Sequence, residues 1–193
     1  MSSEREADQV LVERVQRGDR KAFDLLVLKY QHKVANLISR YIRDQAEVLD
    51  VTQEAFIKAY RALSKFRGDS AFYTWLYRVA INTAKNHLAA QSRRPPGDDI
   101  EAETAEQMDM GGRLKDTGTP ERMALQREIA QTIQKALDEL PDDLRTAITL
   151  RELEGLTYEE IAQAMDCPIG TVRSRIFRAR EAIDARLKPL MAP

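Results

Sequence analysis

Apolar residues along this 193-residue chain recur at three- and four-residue spacing, and no segment alternates with a period of two for long. The spacing predicts helices throughout. In "DQVLVERVQRGD", Val10, Leu11 and Val15 share a stripe that stops at Gly18, a residue suited to ending a helix. Asp19 can cap the next helix, whose stripe runs Phe23, Leu26, Tyr30, Val34, Leu37, Tyr41. A third helix is predicted over 46–63. A fourth follows the turn "FRGDS", over 70–91.

From Arg93 the pattern dissolves. "RRPPGDDIEAETAEQMDMGGRLKDTG" has paired prolines, paired glycines and few large apolar residues, which is a linker composition. Fully extended, residues 93–120 reach roughly 90 Å. Thr119, Pro120 and Glu121 then form a helix start signal. Leu125, Ile129, Ile133, Ala136, Leu137 and Leu140 follow at helical spacing. Pro141 opens a helix through about Leu153, closed by Gly155. Thr157 and Glu160 make a capping box for a short helix to about Met165. After "DCPIG" a long helix starts near Thr171. The fold class expected is all-α: two small helical domains, 1–92 and 121–193, joined by a flexible linker, 93–120.

Composition narrows the function classes. Hydrophobic residues make up 43% and charged residues 32%, with only eight glycines. No apolar run approaches the length of a membrane span. The polar start "MSSEREADQV" lacks a secretory apolar segment, so a cytoplasmic protein is expected. The single cysteine, Cys167, has no intramolecular partner, and His32 and His87 have no zinc-ligand spacing. No metal or cofactor is expected. The formal net charge of −1 conceals three blocks. Residues 60–94 carry net +6, 121–166 net −6 and 173–188 net +4. Two basic blocks on a near-neutral chain fit contact with a polyanion at two places, or simply two solvated helix faces.

The second basic block, "CPIGTVRSRIFRAR", follows a short capped helix and a turn, the plan of a helix-turn-helix over about 157–177. At 100° per residue from Val172, Ile176, Ala179 and Ile183 fall within about 40° of zero and form the buried side. Ser174, Phe177 and Arg178 fall between about 140° and 240°, with Arg173 on their edge. An outward phenylalanine among arginines suits the major groove, where arginine bonds guanine edges and an aromatic ring meets a thymine methyl. Arg175 and Arg180 lie on the flanks and suit phosphates.

The first basic block holds Phe66, Phe72, Tyr73, Trp75 and Tyr77. The same rotation puts Tyr73, Leu76, Tyr77, Ala80, Ile81, Ala84 and Leu88 on the core side of the fourth helix. Thr74, Trp75, Arg78, Asn82, Lys85 and Asn86 face away. Aromatic rings beside cations and amides suit an unpaired strand, and the turn with Phe66 and Arg67 could hold an everted base. Packing of Trp75 against a neighbouring helix is the competing reading. On the third helix, Asp50, Gln53, Glu54, Ile57 and Arg61 face outward, and an exposed isoleucine ringed by acids resembles a small protein-docking patch.

Together, "DVTQEAFIKAYRAL", "FRGDSAFYTWLYRVAINTAKN" and "LRTAITLRELEGLTYEEIAQAMDCPIGTVRSRIFRAREAI" resemble a bacterial RNA polymerase sigma factor of the extracytoplasmic-function class, sigma-E type. The resemblance implies a four-helix region 2 domain and a helix-turn-helix region 4 domain, with no catalytic activity. It places Asp50, Gln53, Glu54 and Ile57, within a motif at about 50–63, against the clamp helices of the polymerase β′ subunit. The segment at about 64–92 becomes the −10 recognition and melting element, with Phe66, Trp75, Arg78, Asn82, Lys85 and Asn86 against the non-template strand. Arg173, Ser174, Phe177 and Arg178 become readers of a GAAC-like −35 element, and Arg151 a phosphate contact. Core RNA polymerase (including its β flap), promoter DNA and an inner-membrane anti-sigma factor are the implied partners, and envelope-stress genes the implied targets. The two promoter elements lie roughly 50 Å apart along the axis, within the linker's reach.

Three other classes fit the sequence less well. A two-component-type regulator needs a βα receiver, and no buried-strand runs occur. A DNA-processing enzyme such as a recombinase needs a nucleophile with an assisting constellation, and none surrounds the Ser and Tyr residues. A pure scaffold leaves an outward Trp75 and Phe177 without a purpose.

Overall fold

The structure is a computed structural model that describes residues 2–93 and 120–191. The linker and the Thr119 cap expected from the sequence fall outside the described residues. The helices are α1 (Ser2–Gln16), α2 (Arg20–Ile38), α3 (Gln45–Ala62), α4 (Phe72–Gln91), α5 (Pro120–Glu139), α6 (Asp142–Glu152), α7 (Tyr158–Met165) and α8 (Ile169–Met191), with one 3₁₀ turn at Leu63–Lys65. Among the described residues there is no strand.

Local chemistry sets most boundaries. Gly18, at φ +97°, lets α1 end with two bonds: its N–H donates to Val15 C=O (2.9 Å), and Asp19 N–H donates to Arg14 C=O (3.0 Å). The Asp19 carboxylate then caps α2 by accepting from Ala22 N–H. Asp44 caps α3 in the same way at Glu47 N–H (2.8 Å). The Thr157–Glu160 capping box forms in full. The long last helix starts at Ile169, two residues before the position expected. Pro168 needs no N–H partner, and its carbonyl already accepts from Thr171 and Val172 N–H, which begins the helix there.

α1 to α4 pack around Leu26, Val34, Ile38, Leu76, Tyr77 and Ile81, all nearly inaccessible. The predicted α2 stripe is buried throughout. The α1 stripe is rotated from expectation. Val10 is 55% exposed, and Val12 takes its place in the core. The turn of the helix is set by Asp8, which is buried and accepts from Lys29 Nζ (2.6 Å) and the Tyr30 hydroxyl on α2. Residues 8 and 12 therefore share the inner face, which hydrophobicity alone does not reveal.

α6, α7 and α8 enclose Ile148, Leu150, Ile161, Ala164, Val172 and Ile176, with the C-terminal half of α5 packed on α8. Ala136 and Leu140 of α5 are buried, but Leu125 is 45% exposed. The buried Arg145 guanidinium donates to Leu137, Asp138 and Leu140 carbonyls and so closes the C-terminus of α5. A fourth bond reaches the Arg40 carbonyl beyond α2, so the two halves of the chain share this side chain.

α7 lies along α4, which joins the halves into one packed body. Thr157→Ala, by removing one partner of the capping box, is expected to cost about 1 kcal/mol of stability in urea unfolding, with an unchanged slope.

Candidate nucleic-acid interface

The helix-turn-helix is built by a short sequence of constraints. The capping box fixes the start of α7. Asp166 ends it in the left-handed conformation, at φ +52°, which Asp tolerates better than most residues. Cys167 N–H returns to Ala162 C=O (3.0 Å), and Pro168 starts α8. The buried anchors Val172, Ile176 and Ala179 then set the rotation of α8.

With that phase, Arg173, Ser174, Phe177 and Arg178 all point to solvent, and Phe177 is 64% exposed. The Ser174 hydroxyl donates to Gly170 C=O (3.0 Å) and stays on the outer surface. The flanking arginines are engaged within the chain. Arg175 is half-buried and donates to Asp143 Oδ2 (2.6 Å) and Cys167 Sγ (3.4 Å). Arg180 pairs with Glu152 (2.6 Å). Arg151 lies over the Tyr158 ring (4.9 Å to its centroid) and donates to Leu156 C=O (2.8 Å), bracing the turn between α6 and α7.

On α4, Arg78, Asn82, Lys85 and Asn86 are exposed. Trp75 is half-buried. Its ring leans on Phe66 (5.1 Å between centroids) and Phe72 (5.9 Å), so the packing reading and the outward reading each hold for part of the indole. Thr74, expected on the outer side, is 1% exposed because the second half of the molecule covers that turn. Phe66, Arg67, Ser70, Trp75 and Arg78 line a pocket of about 360 Å³, and Gln163 of α7 closes one side of it.

On α3, Asp50, Gln53, Glu54 and Ile57 are all exposed, with Glu54 paired to Lys58 (2.7 Å). Sequence reasoning missed two neighbours. Leu49 and Tyr60 are 55% and 41% exposed, and with Gln53 and Ile57 they form one stripe at four-, four- and three-residue spacing. That spacing was readable as an outward, partly apolar face, although Tyr60 also leans on Phe23 (4.9 Å between ring centroids).

The contact between α4 and α7 is polar at its rim. The Tyr73 hydroxyl and the Arg5 guanidinium donate to Glu160 Oε1. The Tyr77 hydroxyl donates to Glu154 Oε2 (2.9 Å), which also pairs with Lys33 (3.1 Å). Burial and the nearby Glu154 push the Tyr77 hydroxyl far above its ordinary range, so it remains a donor. Burial works against ionisation of Glu160. The bonds from Tyr73 and Thr157 and the Arg5 charge outweigh it and hold its carboxyl below the ordinary 4.5.

Residues 26–94 match Sigma-70 region 2, and residues 130–183 match Sigma-70, region 4. The ECF RNA polymerase sigma-E factor of Escherichia coli K12 is 65% identical over 189 residues, 98% of each chain. The RNA polymerase sigma-H factor of Pseudomonas aeruginosa is 66% identical over 186 residues, 96% of each. Among solved structures, CnrH in complex with the cytosolic domain of CnrY has the same fold at a TM-score of 0.66 and 24% identity, over 95% of this chain and 98% of that one. The sigma factor RpoE of Bartonella quintana, solved with the anti-sigma factor NepR, gives 0.63 and 23% over 87% and 98%.

A depressed Glu160 contributes stability that is complete above the ordinary glutamate value and is lost as pH falls through its lowered value. Tyr73→Phe removes one of the bonds that lower it. The Glu160 carboxyl resonance should then titrate at higher pH in carbon-13 NMR, and an unmoved titration would assign the depression to Thr157 and Arg5 alone.

A helix-turn-helix with an outward cationic face, an aromatic and cationic helix before it, and matches to both sigma regions agree on one assignment: the chain belongs to the sigma-70 family of non-catalytic transcription initiation factors, in its extracytoplasmic-function class.

Proposed function

We propose that this chain directs core RNA polymerase to promoters with a GAAC-like −35 element and assists strand opening at the −10 element. The observation that carries this reading is the outward set Arg173, Ser174, Phe177 and Arg178 on a helix whose opposite face is buried at Val172, Ile176 and Ala179. A 64%-exposed phenylalanine flanked by arginines gains from a thymine methyl and guanine edges what water does not offer it. Arg173 and Arg178 read bases, and Ser174 and Phe177 set the fit. Arg151, Arg175 and Arg180 reach phosphates after giving up their internal partners.

Region 2 is assigned residues 1–92, region 4 residues 121–193, and 93–120 connect them. Trp75, Asn82 and Asn86 hold unpaired bases, Arg78 and Lys85 the backbone, and Phe66 the wall of a pocket for an everted base. The 360 Å³ opening beside Phe66 and Trp75 supports that use. Asp50, Gln53, Glu54 and Ile57 dock on the β′ clamp helices, joined by the exposed Leu49 and Tyr60, while region 4 meets the β flap. An anti-sigma factor in the inner membrane holds the protein inactive in the cytoplasm until an envelope-stress signal releases it. The relatives that are named or solved as sigma factors, one of them with an anti-sigma partner, support this setting.

Transcription in vitro with purified core enzyme on a GAAC-type template tests the proposal, and no transcript above core alone would refute it. Arg178→Ala should lower output at least about fivefold on that template, from the roughly 1–3 kcal/mol of a bidentate base contact, while competition for core stays unchanged. Trp75→Ala with Asn82→Ala should keep −35 protection and abolish permanganate reactivity of −10 thymines. Glu54→Arg should weaken competition for core at unaltered thermal stability.

A further inference from the structure

The acidic block of the sequence has a destination. Residues 121–166, net −6, supply the carboxylates that meet α4 and its basic segment, net +6. Asp166 Oδ1 accepts from Arg78 (3.0 Å) and Asp143 Oδ1 from Lys85 (2.9 Å). On the same helix, Tyr73 donates to Glu160 and Tyr77 to Glu154. Both cations that the proposed function gives to the −10 backbone are therefore already neutralised from within the chain.

Two further features point the same way. Gln163 of α7 closes one side of the Phe66–Trp75 pocket. Asp143 also uses its second oxygen on Arg175 of α8 (2.6 Å), so one carboxylate restrains a cation of each DNA-facing helix at once.

We infer that the acidic face of region 4 is the resident occupant of the −10 face of α4, held by Asp143 and Asp166 on Lys85 and Arg78. This rests on the reading of α4 as a single-strand binding helix. Free chain is closed to a single strand, because Asp143 of α6 and Asp166 at the end of α7 take the same cations, and α7 the same pocket mouth, that the strand requires. Opening exchanges intramolecular ion pairs for phosphate contacts. Because Asp143 bridges Lys85 and Arg175, loss of either cation to phosphate leaves the whole carboxylate charge to the other, so the two sites are coupled. Coupling of this kind is reciprocal between the two sites.

The test uses the full chain and a fluorescein-labelled oligodeoxythymidine of about twelve nucleotides, within the site sizes of single-strand binders. Asp143→Asn with Asp166→Asn removes both charges, and Asn at 166 keeps a residue that tolerates the left-handed backbone there. Glu160 is left intact because it caps α7. Glu128→Gln with Asp184→Asn, both exposed and in none of these contacts, matches the charge change. The contact variant should bind the probe about threefold to tenfold more tightly than wild type at low salt, as expected from losing a few partly exposed ion pairs. The control should change less than about twofold, and small-angle X-ray scattering should show a larger radius for the contact variant alone. Equal gains in the two variants, or wild-type binding as tight as that of the contact variant, would overturn the inference. An expanded contact variant that binds no probe, with Trp75→Ala making no difference, would instead overturn the single-strand reading of α4, and the inference with it.

Discussion

One carboxylate, that of Glu160, decides how the molecule is put together. Its Oε2 accepts the Thr157 backbone N–H and so fixes the first turn of α7. Its Oε1 takes the Tyr73 hydroxyl and the Arg5 guanidinium from the other half of the chain. The start of the helix-turn-helix and the seating of α7 on α4 therefore share an anchor. A buried acid is costly without partners, and Glu160 meets that cost with donors from three separate elements. Local helix geometry and the relation between the domains are not independent in this chain.

From that anchor the DNA-facing surfaces follow by rotation. α7 positions the turn at Asp166, the turn positions α8, and Val172, Ile176 and Ala179 fix which side of α8 looks outward. On α4 the same logic operates with aromatic residues. Phe72 is buried, Trp75 leans on it, and Phe66 leans on both, so a rigid ring cluster stands behind the exposed Arg78, Asn82, Lys85 and Asn86. The functional side chains project from elements whose opposite faces have no freedom to turn.

Much of this was legible beforehand, and most of the exceptions share a cause. Signals that act within a few residues read true: the Asp19 cap, the Thr157 capping box, the α2 stripe and the phase of α8. What periodicity could not show was pairing between residues far apart in sequence. The α1 stripe shifted to Val12 because a buried Asp8 found Lys29 and Tyr30. Thr74 turned out covered because α7 packs over it. Arg175 and Arg151 were read as free for phosphate, yet each is engaged by a carboxylate, a carbonyl or a ring. The block charges held a clue, since an acidic stretch between two basic ones satisfies them internally, but charge totals do not say which oxygen meets which nitrogen. Leu49 and Tyr60 were missed for a simpler reason, since an apolar residue on a helix is first read as core.

The indole in the wall of the α4 pocket is the single tryptophan of the chain. All long-wavelength intrinsic emission of this protein thus originates at one spot, between Phe66 and Phe72 and beside the side chain of Gln163. Whatever enters or leaves that recess, whether water, α7 or a nucleobase, alters the surroundings of the one reporter, so the native molecule carries its own label at the place where its two halves meet.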